Sequence, residues 1–222
     1  VSDQEVRERL LWAQGCADEL FGLAIDRGLV RPGVTERAAS DAVRDLAAEL
    51  FGVEKHWHKR IVRAGPNALE PYDENPPDRV IDEDDLVFLD LGPVFDQWEA
   101  DVGRSYVFGD DPDKHRLCAD LPEVFAAGRA HFEAVPEITG AQLYAYVVGL
   151  AEERGWQFGG PIAGHLVGHF PHERIAGDKT TLYIAPGSDL PLRTADRHWI
   201  LEVHLVDRAR GFGGFYEQLL DV

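Results

Sequence analysis

Residues 86–108, LVFLDLGPVFDQWEADVGRSYVF, place two carboxylates at the ends of what reads as an apolar hairpin. The run Leu86-Val87-Phe88-Leu89 leads straight into Asp90. A β-branched and aromatic run, Val102 to Phe108, leaves straight from Asp101. Both runs read as strands, and Gly92-Pro93 and Asp96-Gln97 supply turn chemistry between them. A turn centred near Phe95-Asp96 sets Asp90 and Asp101 opposite each other, with Cβ atoms about 4.5–5.5 Å apart. Two carboxylates that close, at the ends of apolar strands, repel each other and lose hydration. A cation between them resolves the conflict, and a pair of divalent metals sharing a bridging carboxylate, about 3.5–4 Å apart, is the simplest candidate. The plain alternative is a hairpin with two exposed acids, in a chain that has 40 Asp and Glu residues.

Further candidate ligands come later in the chain. Residues 198–206, HWILEVHLV, form an apolar strand in which Glu202 and His204 share a face by the period of two. A buried Glu in such a run requires a partner or a metal. Glu217 lies inside FYEQLL, Phe215 to Leu220, a short strand that follows a turn at Gly211 to Gly214; the alternative for Glu217 is an edge residue facing solvent. Residues 159–173, GGPIAGHLVGHFPHE, crowd His165, His169 and His172 among glycines, and the glycines suggest backbone held close to something. His56 and His58 alternate like strand residues on a shared face; such a pair can bind metal, but two histidines alone read first as surface or supporting groups. Asp90, Asp101, His165, Glu202 and Glu217 together make a hard, oxygen-rich set, suited to two divalent ions such as Mn, Fe, Co or Zn.

The remaining segments supply a scaffold. Ser2 to about Arg27 reads as an amphipathic helix with a capping-box spacing to Glu5, Thr35 to about Phe51 as a second, Lys114 to Ala134 as a third, and Thr139 to about Arg154 as a fourth. A strand from Arg60 to Arg63 and an irregular loop with Pro71, Pro76 and Pro77 precede the hairpin. Helices and strands in blocks point to an α+β fold in a single domain spanning 1–222. The formal charge of −18 argues against nucleic acid and anionic membrane surfaces as partners and favours cationic ligands. Cys16 and Cys118 form no framework, no apolar run approaches a membrane span, and VSDQEVRERL has no apolar leader pattern. A cytoplasmic protein is expected.

At these residues the sequence resembles the creatinase/methionine aminopeptidase superfamily, the pita-bread metallopeptidases, and it is most similar to the aminopeptidase P and prolidase branch. The resemblance runs through R-P-G-V-T-E (Arg31 to Glu36) and I-V-R-A-G-P-N (Ile61 to Asn67) and ends at Glu217. Asp90 in L-D-L-G, Asp101 in D-V-G-R-S-Y, His165 in G-H-L-V-G, Glu202 in I-L-E-V and Glu217 match that family's five metal ligands. His172 matches a second histidine that contacts substrate, with His169 and Tyr72 as further substrate-side residues. The resemblance implies a curved, mainly antiparallel sheet in two pseudo-symmetric halves with helices on the convex face. It also implies hydrolysis of a small peptide-like substrate by a hydroxide bridging two metals. Glu202 and His204 are candidates for proton transfer, and His172 for steadying the oxyanion.

The chain departs from the family pattern in places. The usual N-A-x-x-x-H-Y reads N-A-L-E-P-Y, with Pro71 where a histidine is expected. Glu202-Val203 replaces Glu-Pro, Leu166 replaces a glycine, and no additional N-terminal domain of the aminopeptidase P type is seen. A non-peptidase metalloenzyme on the same scaffold, biosynthetic or creatinase-like, is therefore an alternative, and a non-catalytic binding protein a third. A homodimer is compatible with each. For His204, proton transfer, support of a ligand and core packing are all open.

Overall fold

Ser2 and Thr35 accept hydrogen bonds from the backbone N–H groups of Glu5 (3.3 Å) and Ala38 (3.1 Å). These caps satisfy donors that a first helical turn leaves unpaired. They start α1 (Asp3–Asp26) and α2 (Glu36–Phe51) in the computed structural model, which describes residues 2–167, 182–193 and 197–220. α2 ends on Gly52 in the left-handed region (φ 66°), the conformation glycine adopts without strain. Asp111 caps α3 (Pro112–Ala134), and Thr139 with Gln142 forms a reciprocal capping box on α4 (Gly140–Glu153).

The strands are β1 (Ile61–Ala64), β2 (Leu86–Asp90), β3 (Val94–Phe95), β4 (Trp98–Glu99), β5 (Gly103–Val107), β6 (Gln157–Phe158), β7 (Gly164–Val167), β8 (His198–Asp207) and β9 (Phe212–Leu219). Seven of them make one antiparallel sheet in the order β1-β2-β5-β9-β8-β6, with β7 also paired to β8. β3 and β4 form a separate two-stranded ribbon. The order helix, helix, strands is thus run through twice. α1 and α2 pack with β1 and β2 around one apolar core that contains Leu20, Phe21, Val43, Val62 and Leu89. α3 and α4 pack with β8 around a second, containing Leu121, Val147, Leu201, Val203 and Leu205.

Strand periodicity decides which side chains face away from the helices. In β8, Leu201, Val203 and Leu205 enter the helix-side core, so Glu202 and His204 point to the opposite face. In β2, Val87 and Leu89 pack under the helices, and Phe88 and Asp90 face the other way.

Three sequence expectations need correction. The hairpin turn is centred on Asp96-Gln97, both at positive φ (56° and 148°), one residue later than expected. Asp90 therefore pairs with Gly103, and Asp101 lies beyond the end of the ladder instead of opposite Asp90. β9 begins at Phe212, because Gly213 and Gly214 are strand residues: a Cβ at Gly214 would come within 2.8 Å of Leu117 on α3. His56 and His58 are not on one strand face, since a bend at Trp57-His58 turns the chain between them.

The two halves of the sheet meet where β5 runs beside β9. Only Gly103 and Glu217 are paired there by backbone register. Ser105 continues the contact through its side chain: Oγ donates to the Phe215 carbonyl (2.9 Å) and accepts from the Phe215 N–H (2.8 Å). Arg104 adds a bond from Nη1 to the Glu217 carbonyl (2.7 Å).

Candidate metal centre

Asp90 ends β2, Asp101 lies in the segment entering β5, His165 is on β7, Glu202 on β8 and Glu217 on β9. All five line one cavity of about 630 Å³. His165 Nε2 is 3.0 Å from Asp101 Oδ2, 3.6 Å from Glu202 Oε1 and 3.7 Å from Glu217 Oε1. Glu202 and Glu217 are direct cross-strand partners, which brings their carboxyls together. Glu217 lies on an interior strand and is 2% exposed, so the solvent-edge alternative is wrong.

The sequence reading set His58 aside as a surface or supporting group. Its Nε2 lies 3.2 Å from Asp90 Oδ1 and 3.2 Å from Asp101 Oδ1, and its side chain is 7% exposed. No local pattern marked its place: alternation gave a strand, whereas the ring is set by a bend at Trp57-His58 and by Gly92 opposite it. His56 stays outside the cavity, in a neighbouring groove with Arg44 and Arg60.

Electrostatics follow from packing four carboxylates into a buried space. Burial raises the pKa of Asp90, against the pull of His58. Burial, with repulsion from Asp101, holds Glu217 well above the usual carboxylate range. Burial pushes Glu202 up to about 7, against the attraction of His165 and with the help of Asp101 and Asp90. Burial opposes ionisation of Asp101 too, but the charge of His58 and hydrogen bonds from both histidines overcome it and hold this carboxyl well below its ordinary value. His58 and His165 are raised well above an ordinary imidazole, because their acidic neighbours outweigh the cost of burying the charge.

The donor set fits divalent ions. Among the described residues, two groups offer ligand atoms within 4.8 Å of one another: His58 with Asp90 and Asp101, and Asp101 with His165 and Glu217. Asp101 belongs to both, as a bridging carboxylate would. Asp90 Oδ1 is buried without a hydrogen-bond partner, an arrangement a metal ligand tolerates and an ordinary core carboxylate does not.

His204 points into the same cavity, but its Nε2 is 2.8 Å from the Ala68 carbonyl. Burial lowers its pKa to about 4. Its ring packs on Gly159, where a Cβ would sit 2.5 Å from Nδ1. Tyr72 lines the mouth, half exposed, with Lys59 Nζ 4.5 Å above its ring. Arg63 holds this part of the mouth in place: it donates to the carbonyls of Glu70 (2.5 Å), Pro71 (3.0 Å) and Glu74 (2.6 Å). Ile61, Phe88 and Phe215 form an apolar wall. His169 and His172 lie outside the described residues.

The chain is similar to proteins of known sequence and structure. A Xaa-Pro dipeptidase of Lactobacillus helveticus is 29% identical over 187 residues, covering 83% of this chain and 48% of its own length. One of Pyrococcus furiosus is 28% identical over 153 residues, covering 69% and 42%. The chain thus spans about half the length of the curated relatives it matches. A prolidase structure from Thermococcus sibiricus superposes on the whole chain and on 58% of its own, with TM-score 0.76 and 23% identity. A methionine aminopeptidase structure from Rickettsia prowazekii covers 99% of this chain and 94% of its own, with TM-score 0.72 and 15% identity. These likenesses establish the pita-bread fold. The model of metallopeptidase family M24 matches residues 8–195, and the chain belongs to that family.

Proposed function

We propose that the chain is a metal-dependent hydrolase of the prolidase and aminopeptidase P type, acting on a short peptide or a small peptide-like molecule. The convergence of Asp90, Asp101, His165, Glu202 and Glu217 on one buried cavity carries this reading. The dipeptidase relatives support the substrate class. In this reading the five residues hold two divalent ions of the Mn, Fe, Co or Zn type. When bound, such a pair supplies Lewis-acid polarisation of a carbonyl and lowers the pKa of a water.

The chain's own groups would do the rest. Glu202, with its carboxyl pushed up to about 7, can hold or give up a proton at neutral pH, as a general acid–base group must. The Ile61-Phe88-Phe215 wall offers an apolar side chain a dry surface. Tyr72 at the mouth, with His169 and His172, is assigned to substrate contact, His172 as the group that steadies the developing oxyanion. Of the three roles open to His204, the bond to Ala68 favours packing: a ring that donates Nε2–H to a buried carbonyl is not free to exchange that proton with substrate. The free, partly buried thiols of Cys16 and Cys118 fit a reducing compartment, and the protein is read as cytoplasmic and able to form a homodimer. Among the described residues no helix is long and apolar enough to cross a membrane.

One observation favours a second reading, a non-peptidase metalloenzyme. Pro71 brings no side-chain donor to the cavity, and its backbone is tied down by Arg63. Metal analysis after reloading with Mn, Fe, Co and Zn, followed by a screen of Xaa-Pro dipeptides, tests both. Up to two ions per chain are expected, with at least one lost in Asp101→Ala. No uptake of any ion overturns the metal reading; two bound ions with no dipeptide hydrolysis supports the second reading over the first.

A further inference from the structure

His58 and His165 flank Asp101, one imidazole on each carboxylate oxygen, at 3.2 and 3.0 Å. Their rings are arranged alike. Nδ1 of His58 lies 2.6 Å from the carbonyl of the next residue, Lys59, and Nδ1 of His165 lies 2.9 Å from that of Leu166. A carbonyl only accepts, so each Nδ1 carries a hydrogen, and it is Nε2, the nitrogen facing the carboxylates, whose proton an incoming ion would displace. A histidine that ligates a metal through one nitrogen characteristically donates its other N–H to such a group.

The surroundings of His58 Nε2 call for a cation. Asp90 Oδ1 and Asp101 Oδ1 are both 3.2 Å away. A second proton on the ring can align with one of them only, and Asp90 Oδ1 is left without a hydrogen bond. A divalent ion serves all three atoms together. Ligand atoms each about 2.0–2.2 Å from a shared ion lie about 3 Å apart in adjacent positions, which is the spacing seen.

The backbone is shaped to admit this ring. Gly92, at φ 53°, faces it so closely that a Cβ would be 2.2 Å from Cδ2 and 2.3 Å from Nε2. The Trp57 N–H donates to the Gly92 carbonyl (3.0 Å), which pins the bend carrying His58. Trp57 and Tyr72 meet the ring edge-on, with centroids 4.8 and 5.9 Å away.

We infer that His58 is a sixth protein ligand, joining Asp90 and Asp101 on one of the two ions, so that each ion is held by one imidazole. The inference rests on the metal-binding reading above. Its consequence is that the Asp90–Asp101 position favours imidazole-seeking ions such as Zn or Co over Mn, compared with a carboxylate-only position.

Cobalt loading tests it without reference to activity. Each ligating histidine with a protonated Nδ1 contributes one strongly shifted, solvent-exchangeable N–H resonance to the proton NMR spectrum of the Co(II)-loaded protein. Two are expected in the wild type and one in His58→Ala. The weaker-bound ion should lose affinity by at least about 10-fold, the scale on which even outer partners of a metal act. Gly92→Ala keeps every ligand side chain in the sequence but takes the room from the His58 ring, and should lose the same resonance. If Gly92→Ala fails to fold by circular dichroism, His58→Ala alone carries the test. A single shifted N–H in the wild type, or two in His58→Ala with unchanged affinities, overturns the assignment of His58 and leaves the metal reading standing. A wild type that takes up no cobalt overturns the metal reading, and this inference with it.

Discussion

Glu202, Glu217, His58 and His165 all hold their protons to higher pH than the free side chains do. An ion must displace whatever protons its ligands carry. A raised pKa means a proton still bound at neutral pH, so ion affinity should rise with pH through neutrality, and loading at pH 7 should release protons. Calorimetry in buffers of different ionisation enthalpy measures that release; a value of zero would contradict the electrostatics described above. His204 behaves in the opposite sense. Burial takes its pKa from 6.5 to about 4, so between those values the unfolded chain binds a proton that the folded chain refuses. Stability is therefore lost as pH falls from 6.5 to 4, by on the order of 3 kcal/mol at most. In the metal-free protein, His204→Gln should flatten the dependence of the urea midpoint on pH across that window. Individual residues were unevenly legible in the sequence. Asp90, Asp101, Glu202 and Glu217 announced themselves because a carboxylate inside or at the end of an apolar run requires an explanation. His58 did not, because its position depends on a bend at Trp57 and on the bare face of Gly92, thirty-four residues away in the chain.

At the scale of elements, Gly164 marks the tightest approach in the sheet. It sits at φ 141°, and a Cβ there would lie 2.0 Å from the Ile200 carbonyl oxygen. Gly164→Ala should cost about 3 kcal/mol or more, combining backbone strain with a steric clash inside the β7–β8 ladder. Because His165 is the next residue, the variant should also bind metal more weakly. Chemical denaturation and metal titration of the one protein read both effects, and a stability within 1 kcal/mol of wild type, an order-of-magnitude threshold, would argue that the ladder can relax. The four α-helices of the described residues were readable, since caps and 3.6-residue periodicity are encoded locally: Ser2, Thr35 and Thr139 each begin one. The long strands were readable from their apolar runs. The short strands β3, β4, β6 and β7 were not, because two to four residues carry too little pattern and owe their conformation to the partner strand. The hairpin register failed for a related reason. The turn could be found from Asp96-Gln97, but its centre depends on the positive φ angles that those two residues adopt.

For the whole molecule, the double helix–strand order and the α+β class were visible in the sequence, whereas the joining of the halves was not. That joint has a consequence for motion. Between β5 and β9 a single backbone rung, Gly103 with Glu217, does what a full ladder does elsewhere, and the Ser105 hydroxyl and Arg104 guanidinium bridge the rest. Most of each half's apolar side chains pack in a core of their own, with Val167, Ile200 and Leu219 crossing into the first and Leu86 into the second, so opening the seam should cost less than unfolding either core. The proposed ligands are distributed across it: Asp90 and Asp101 on one side, His165, Glu202 and Glu217 on the other. Ions bound there would act as rivets, and removing them should loosen the seam before it loosens either core. Hydrogen–deuterium exchange of the protein with and without metal would show this as faster exchange in 103–107 and 212–219, with the amides of α1 and α3 little changed. Uniform acceleration throughout the chain would mean that the halves open only by unfolding together. If the seam does give way first, the two ions proposed to equip the cavity for chemistry would also decide whether there is one rigid body or two.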